Sequence, residues 1–215
     1  MRSLAVCAFT ILVPWCALRA ETLNRVVAAV DYQAITDRDL VSEYHYEQLL
    51  NGKFPKGEPD SKARVEIRNR LVEQALLSQE AQDAGLPKVT PEALTRDLAD
   101  LRKKFDSPKA FEDALHAAGL DDAELLERLR RRDLIAEQTE LRLRPQAWVE
   151  PSEIEAYYQH TFVPEFKQHN QEQPPALDEV SDKIRDILVE QKINKLLDDW
   201  ISDLKAIHRI DLAPM

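Results

Sequence analysis

The chain has 215 residues, of which 32% are charged, with a formal net charge of −10 and only four glycines. Sequence-independent binding to nucleic acid rests on Lys and Arg neutralising phosphates, so an acidic chain is a poor candidate for it. High charge with little glycine suits long helices and argues against a β-sandwich.

In chain order, the first segment is a short n-region (Met1, Arg2, Ser3), then an apolar run over 4–18 that ends at Ala20 before the polar Glu21. This order predicts a secretory signal peptide over 1–20, and hence an exported protein. The run is about 15 residues, short of the ~20 that span a bilayer, and Pro14 interrupts it. Leu18 at position −3 is larger than the usual small residue, which leaves an uncleaved anchor as the alternative. Cys16 follows Val13, Pro14 and Trp15, where a lipoprotein would carry small residues. Cleavage would leave 195 of the 215 residues and a net charge of −12, because Arg2 and Arg19 are lost and no acid is. Cys7 and Cys16 would go too, so the mature chain is expected to use neither disulfide nor thiolate chemistry. Its stability must then come from a packed core.

Residues 25–30 form a short, partly β-branched apolar run that reads as a buried strand. Asp31, Tyr32, Gln33 and Ala34 read as a turn or hairpin. A helix follows to about residue 50, with Thr36 as its cap and Asp39 answering the cap's own amide. Residues 51–60 hold Gly52, Pro55, Gly57 and Pro59 and predict a loop. Over 61–84, Val65, Leu71, Val72, Ala75, Leu76 and Leu77 recur at helical spacing, and Gly85 supplies the stop. Thr90-Pro91 opens a helix to about 105, and Ser107-Pro108 a shorter one ended by Gly119. Asp121 with Glu124 makes a capping box for a long helix to about 143, ended by Pro145. Pro151 begins a further helix carrying Ile154, Tyr157 and Tyr158. Residues 162–175, with three prolines, look irregular. The last helix, about 178–206, carries an apolar stripe of Val180, Ile184, Ile187, Leu188, Leu196, Leu197, Trp200, Ile201 and Leu204. Residues 208–212 alternate like a final strand.

The expected fold is therefore mainly α. Its organisation is a signal over 1–20, an N-terminal helical region over 21–145 and a C-terminal helical region over 146–215 that completes the core. A lone strand leaves its backbone groups unpaired, so 26–30 is expected to pair with 207–212. Leu71, Leu76, Ile187 and Trp200 are the candidate core residues.

Tests for chemistry come out negative. Gly52 and Gly57 have the spacing of a phosphate-binding loop, but Glu58 and Pro59 stand where Lys and Ser or Thr belong. His45, His116, His160, His169 and His208 have no zinc spacing, so no metal and no cofactor is expected. There is no Gly-x-Ser-x-Gly elbow. The basic run from Arg128 to Arg132 lies among Glu124, Glu127 and Asp133, and reads as a salt-bridged helix surface. Trp148, Tyr157, Tyr158 and Phe162 are the candidate client-binding aromatics; core packing is the default for each, and only an exposed cluster would bind.

The order of these motifs resembles the SurA-type and related parvulin-associated periplasmic chaperones. The likeness runs through Val26 to Val30 with Ile35 to Leu40, then Leu71 to Leu77 with Glu80 and Ala81. It continues through Phe111 to Leu120, the arginine-rich helix and Ile154 to Tyr158. Ile184 to Asn194, with Trp200 and Leu204, is similar to the family's closing helix. Two features depart from the family. Asp31-Tyr32-Gln33 replaces a turn that usually carries glycine. The parvulin isomerase that usually follows the tyrosine pair has only the 17 residues of 161–177 to occupy, against the ~100 of an ordinary domain. The resemblance implies an ATP-independent holdase for unfolded envelope proteins, with outer-membrane protein precursors as clients. Two alternatives stay open: a peptidylprolyl isomerase or a subunit of one, and an adaptor for a single envelope partner.

Overall fold

A computed structural model describes residues 24–84, 89–170 and 172–214. The expected signal, with its cleavage site, and the stop at Gly85 lie outside the described residues.

The fold is mainly α with one small antiparallel sheet. Strand β1 (Val26–Val30) turns through Asp31 and Tyr32 into β2 (Gln33–Thr36). Asp31 takes a left-handed φ of 51°, which Asp tolerates better than most residues. Helix α1 (Asp37–Leu50) starts where expected: the Asp39 amide donates to Thr36 Oγ1, and the Thr36 amide donates to Asp39 Oδ2 at 2.8 Å. The loop over 51–60 passes close to the later chain. A Cβ at Gly52 would lie 2.8 Å from Lys104 Cβ.

Helix α2 (Ser61–Asp83) is capped by Asp60, whose carboxylate accepts from the Ala63 amide at 2.8 Å. Thr90 and Ser107 cap α3 (Pro91–Arg102) and α4 (Pro108–Ala117). Gly119 ends α4 at φ 71°. There the Leu120 amide reaches back to the Leu115 carbonyl and the Gly119 amide to that of His116, the double closure that a left-handed glycine allows. Helix α5 (Asp122–Leu143) opens with the Asp121–Glu124 capping box and runs into a short 3₁₀ turn at Arg144–Gln146.

Residues 162–175 depart from the irregular segment expected. After α6 (Pro151–Tyr157), a π-turn at Tyr158–Phe162 leads into α7 (Val163–His169). Pro164 follows this turn, whose Val163 amide reaches back five residues to the Tyr158 carbonyl, so the residue without an N–H falls where the regular ladder is already interrupted. Helix α8 (Leu177–Ile207) precedes β3 (Ile210–Leu212). The sheet order is β2-β1-β3, with Ala28 opposite Leu212 and Val30 opposite Ile210, so the expected pairing of the terminal strands is present. The strand is shorter than the sequence suggested, because α8 continues through Ile207.

Three apolar clusters hold these elements. The first joins the sheet, α2, the end of α5 and the C-terminal half of α8, with Val27, Ile35, Leu76, Ile193, Trp200 and Leu204 buried. Leu76 and Trp200 are thus core, and Leu71 packs half-buried against them. The second joins α1, α3, α4 and the start of α5 around Leu49, Phe111, Leu125 and Leu129. The third gathers Val149, Ile154, Val180 and Ile184, with α6 and the π-turn against the N-terminal half of α8.

Ile187 is not core: it is 42% exposed. The reason is the geometry of α8. At ~100° per residue, Val180, Ile184 and Leu188 share one face, while Ile193, Trp200 and Leu204 lie about 160–200° round from Ile184. The helix buries nearly opposite faces in its two halves, and Ile187, about 60° round from Ile184 on the side of Val180, sits at the edge of the first. Val65, at the start of the α2 pattern, is likewise 38% exposed; Ile67 is buried in its place.

Candidate functional site

The four candidate aromatics are brought to one end of the molecule but do not form one exposed cluster. Trp148, in the connection after α5, is 70% exposed and donates its Nε1–H to Glu150 Oε1 at 2.9 Å. Its carbonyl accepts from Lys192 of α8. Tyr157, Tyr158 and Phe162 are half-buried against the third cluster. Tyr158 and Phe162 stack at 5.7 Å between ring centroids, and Tyr158 donates its hydroxyl to the Pro175 carbonyl at 2.8 Å. Three of the four therefore hold α6, the π-turn and α8 together. Trp148 is the one with a free face.

A second region was not anticipated. A cleft of about 680 Å³ opens between β2, α1, α2 and α5, with Ala34, Tyr46, Leu71, Ser78 and Ile135 among its walls. Its polar side is organised around Glu43, which is 6% exposed. Glu43 accepts from Arg128 Nη1 at 3.0 Å and Gln74 Nε2 at 3.4 Å, which ties α1 to both α5 and α2. Arg128 also donates to Ser42 Oγ at 2.7 Å and lies 5.2 Å from the centre of the Tyr46 ring. Glu47 pairs with Arg70, and Arg132 with Asp97 and Asp133. The arginine run is thus ion-paired as expected, except at Arg131, which makes no ion pair among the described residues. What the sequence reading missed is that Arg128 points inward.

Burial governs the titration of this wall. It pushes the Tyr46 phenol up to about 12, against the pull of Arg132. It also lifts the Glu47 carboxyl above its ordinary value, with Arg70 opposing. Tyr46 therefore stays protonated at any physiological pH and keeps an O–H to donate. One signal in the sequence could have found the site. Leu40, Glu43, Tyr46 and Leu49 recur every third residue, and an acid on a buried stripe needs a partner.

The chain is thus mainly helical, with its first and last strands in one small sheet beside a cleft of mixed polarity. The model of the SurA-like N-terminal domain family matches residues 3–140, and the chain belongs to that family. The match ends inside α5, so the third cluster, α8 and β3 lie beyond it. Comparison with curated proteins gives no match. No helix among the described residues is long and apolar enough to cross a membrane.

Proposed function

We propose that this protein is an ATP-independent holdase of the bacterial envelope, which binds unfolded polypeptides, outer-membrane protein precursors among them. Membership of the SurA-like N-terminal domain family is the observation that carries the reading. The exposed Trp148 ring offers apolar contact, and the net charge of −10 favours solubility of a loaded complex. We take the protein to hold clients without acting on their bonds. An isomerase must stabilise a twisted prolyl bond, whose barrier is ~18–20 kcal/mol, and that needs polar groups aimed at the peptide in a shaped pocket. The stretch in which the resemblance would place such a domain, 161–177, has only 17 residues, α7 among them. The periplasmic location rests on the expected signal: protein from the envelope fraction should begin at or near Glu21, and an intact Met1 there would refute it.

The test is aggregation of a denatured outer-membrane protein on dilution, with and without this protein. Suppression at near-stoichiometric ratio without nucleotide, with proline-limited refolding of a second substrate unchanged, supports holding. Acceleration of that refolding at substoichiometric amounts would establish an isomerase instead. Absence of both effects would point to a single-partner adaptor.

A further inference from the structure

We propose that the free edge of β2 receives an extended segment of client polypeptide as an added strand, whose side chains enter the cleft between α1, α2 and α5. This rests on the holding function proposed above and assigns it a site.

The hydrogen bonding of the sheet fixes which backbone groups are free. The Asp31 amide donates to the Arg209 carbonyl at 2.8 Å, and the Ala213 amide to the Val27 carbonyl at 3.0 Å. Val27 and Asp31 therefore turn their polar groups towards β3, and Ala29, opposite Asp211, does the same. Alternation along an antiparallel strand sends Ala28 and Val30 to β2, where their partners are Ile35 and Gln33. Ala34, opposite Ala29, is left with its N–H and C=O pointing away from β1. Among the described residues neither group has another backbone partner. Ala34 is exposed and lines the cleft, and its methyl group shields little. The next amide along, that of Thr36, is taken by Asp39. The open edge is thus a single donor–acceptor pair, too short to invite copies of the chain to stack edge to edge.

The cleft supplies what so short an edge lacks. Leu71 and Ile135 give it an apolar wall. Tyr46, Arg70 and Ser78 line it as well, but Tyr46 Oη, Arg70 Nε and Ser78 Oγ are themselves buried, so the cleft offers a strand apolar contact and not these donors. An extended peptide presents alternate side chains to one face while its backbone groups lie along its edge, which matches an apolar wall beside the free edge at Ala34. Strand addition of this kind reads backbone rather than sequence, as a holder of many unrelated chains requires.

The experiment uses the intact protein and a fluorescent synthetic peptide alternating tyrosine or valine with threonine or serine, with binding read by anisotropy. Ala34→Pro removes the outward N–H at a position where an edge strand tolerates proline. It should retain the melting curve and bind about tenfold more weakly, the effect of one lost backbone hydrogen bond; Ala34→Ser should bind as wild type does. A second measurement leaves the protein unaltered and N-methylates the peptide at one or the other alternate set of residues. One set should lose about tenfold and the other little. Equal binding of both methylated peptides overturns the proposal, as does undiminished binding by folded Ala34→Pro. A protein that suppresses aggregation but ignores the peptide overturns the edge site and leaves holding intact. Peptide binding that is sensitive at Ala34, without any suppression, sustains the site and overturns holding.

Discussion

Asp31 and His208 stand 177 residues apart in sequence, yet His208 Nδ1 lies 2.7 Å from Asp31 Oδ2. A carboxylate only accepts, so the ring presents an N–H on Nδ1. The Arg209 amide donates to the other carboxylate oxygen at 3.0 Å. The turn that departs from the family's glycine thus serves as the fastening for the last strand.

This fastening has an acid limit. The hydrogen bond from His208, with that from Arg209, holds the Asp31 carboxyl below its ordinary value of 3.8. A depressed folded pKa gives stability that is fully present above the unfolded value and lost as pH falls through the folded one. The melting temperature of the wild type should therefore exceed that of Asp31→Asn at pH 5–7, and the gap should close below about pH 4. Asn tolerates the left-handed turn, so the comparison isolates the charge. A gap of the same size at pH 2 and pH 7 would assign the effect to turn geometry.

Trp200 and Ile187 should separate cleanly in chemical denaturation. Trp200 is buried in the first cluster, with the Arg142 guanidinium 4.5 Å from its ring centroid. Trp200→Ala should cost about 3–5 kcal/mol. Ile187→Ala, at the exposed edge of a buried face of α8, should cost under about 1 kcal/mol. Similar losses at both positions would mean that Ile187 is as buried as Trp200.

The Glu43–Arg128 pair should behave as a coupled unit. Glu43 is almost fully buried and Arg128 largely so, and removal of one partner strands the other. A double-mutant cycle of Glu43→Ala and Arg128→Ala should return a coupling of about 1–3 kcal/mol. A value near zero would place the pair with ordinary surface ion pairs.

What could be read from sequence follows from how local each signal is. The caps at Thr36, Thr90, Ser107 and Asp121 act within three residues, and each helix starts where its cap predicts. The pairing of β1 with β3 was legible because a lone strand must find a partner. Ile187 was misplaced because one apolar list was read as one stripe, when α8 packs against different clusters along its length. The cleft escaped notice because its parts come from α1, α2 and α5, and Glu43 and Arg128 meet only across 85 residues of chain. The aromatics near Tyr158 were found as a group, but their half-burial depends on Val180 and Ile184 of α8, which no local pattern around Tyr158 reveals.

The sheet also sets a timetable. Its middle strand, β1, leaves the ribosome early, and one of its two edges stays open until β3 follows. The first cluster around Val27 and Leu76 therefore lacks Ile193, Trp200 and Leu204 for nearly the whole of synthesis. Closing so long a loop adds little to the equilibrium cost but delays the contacts that reward it. The second cluster, whose residues all lie between Tyr46 and Leu129, can form as it emerges; the first stays adhesive until α8 arrives, and a chain stalled before residue 177 is itself a candidate for chaperone capture.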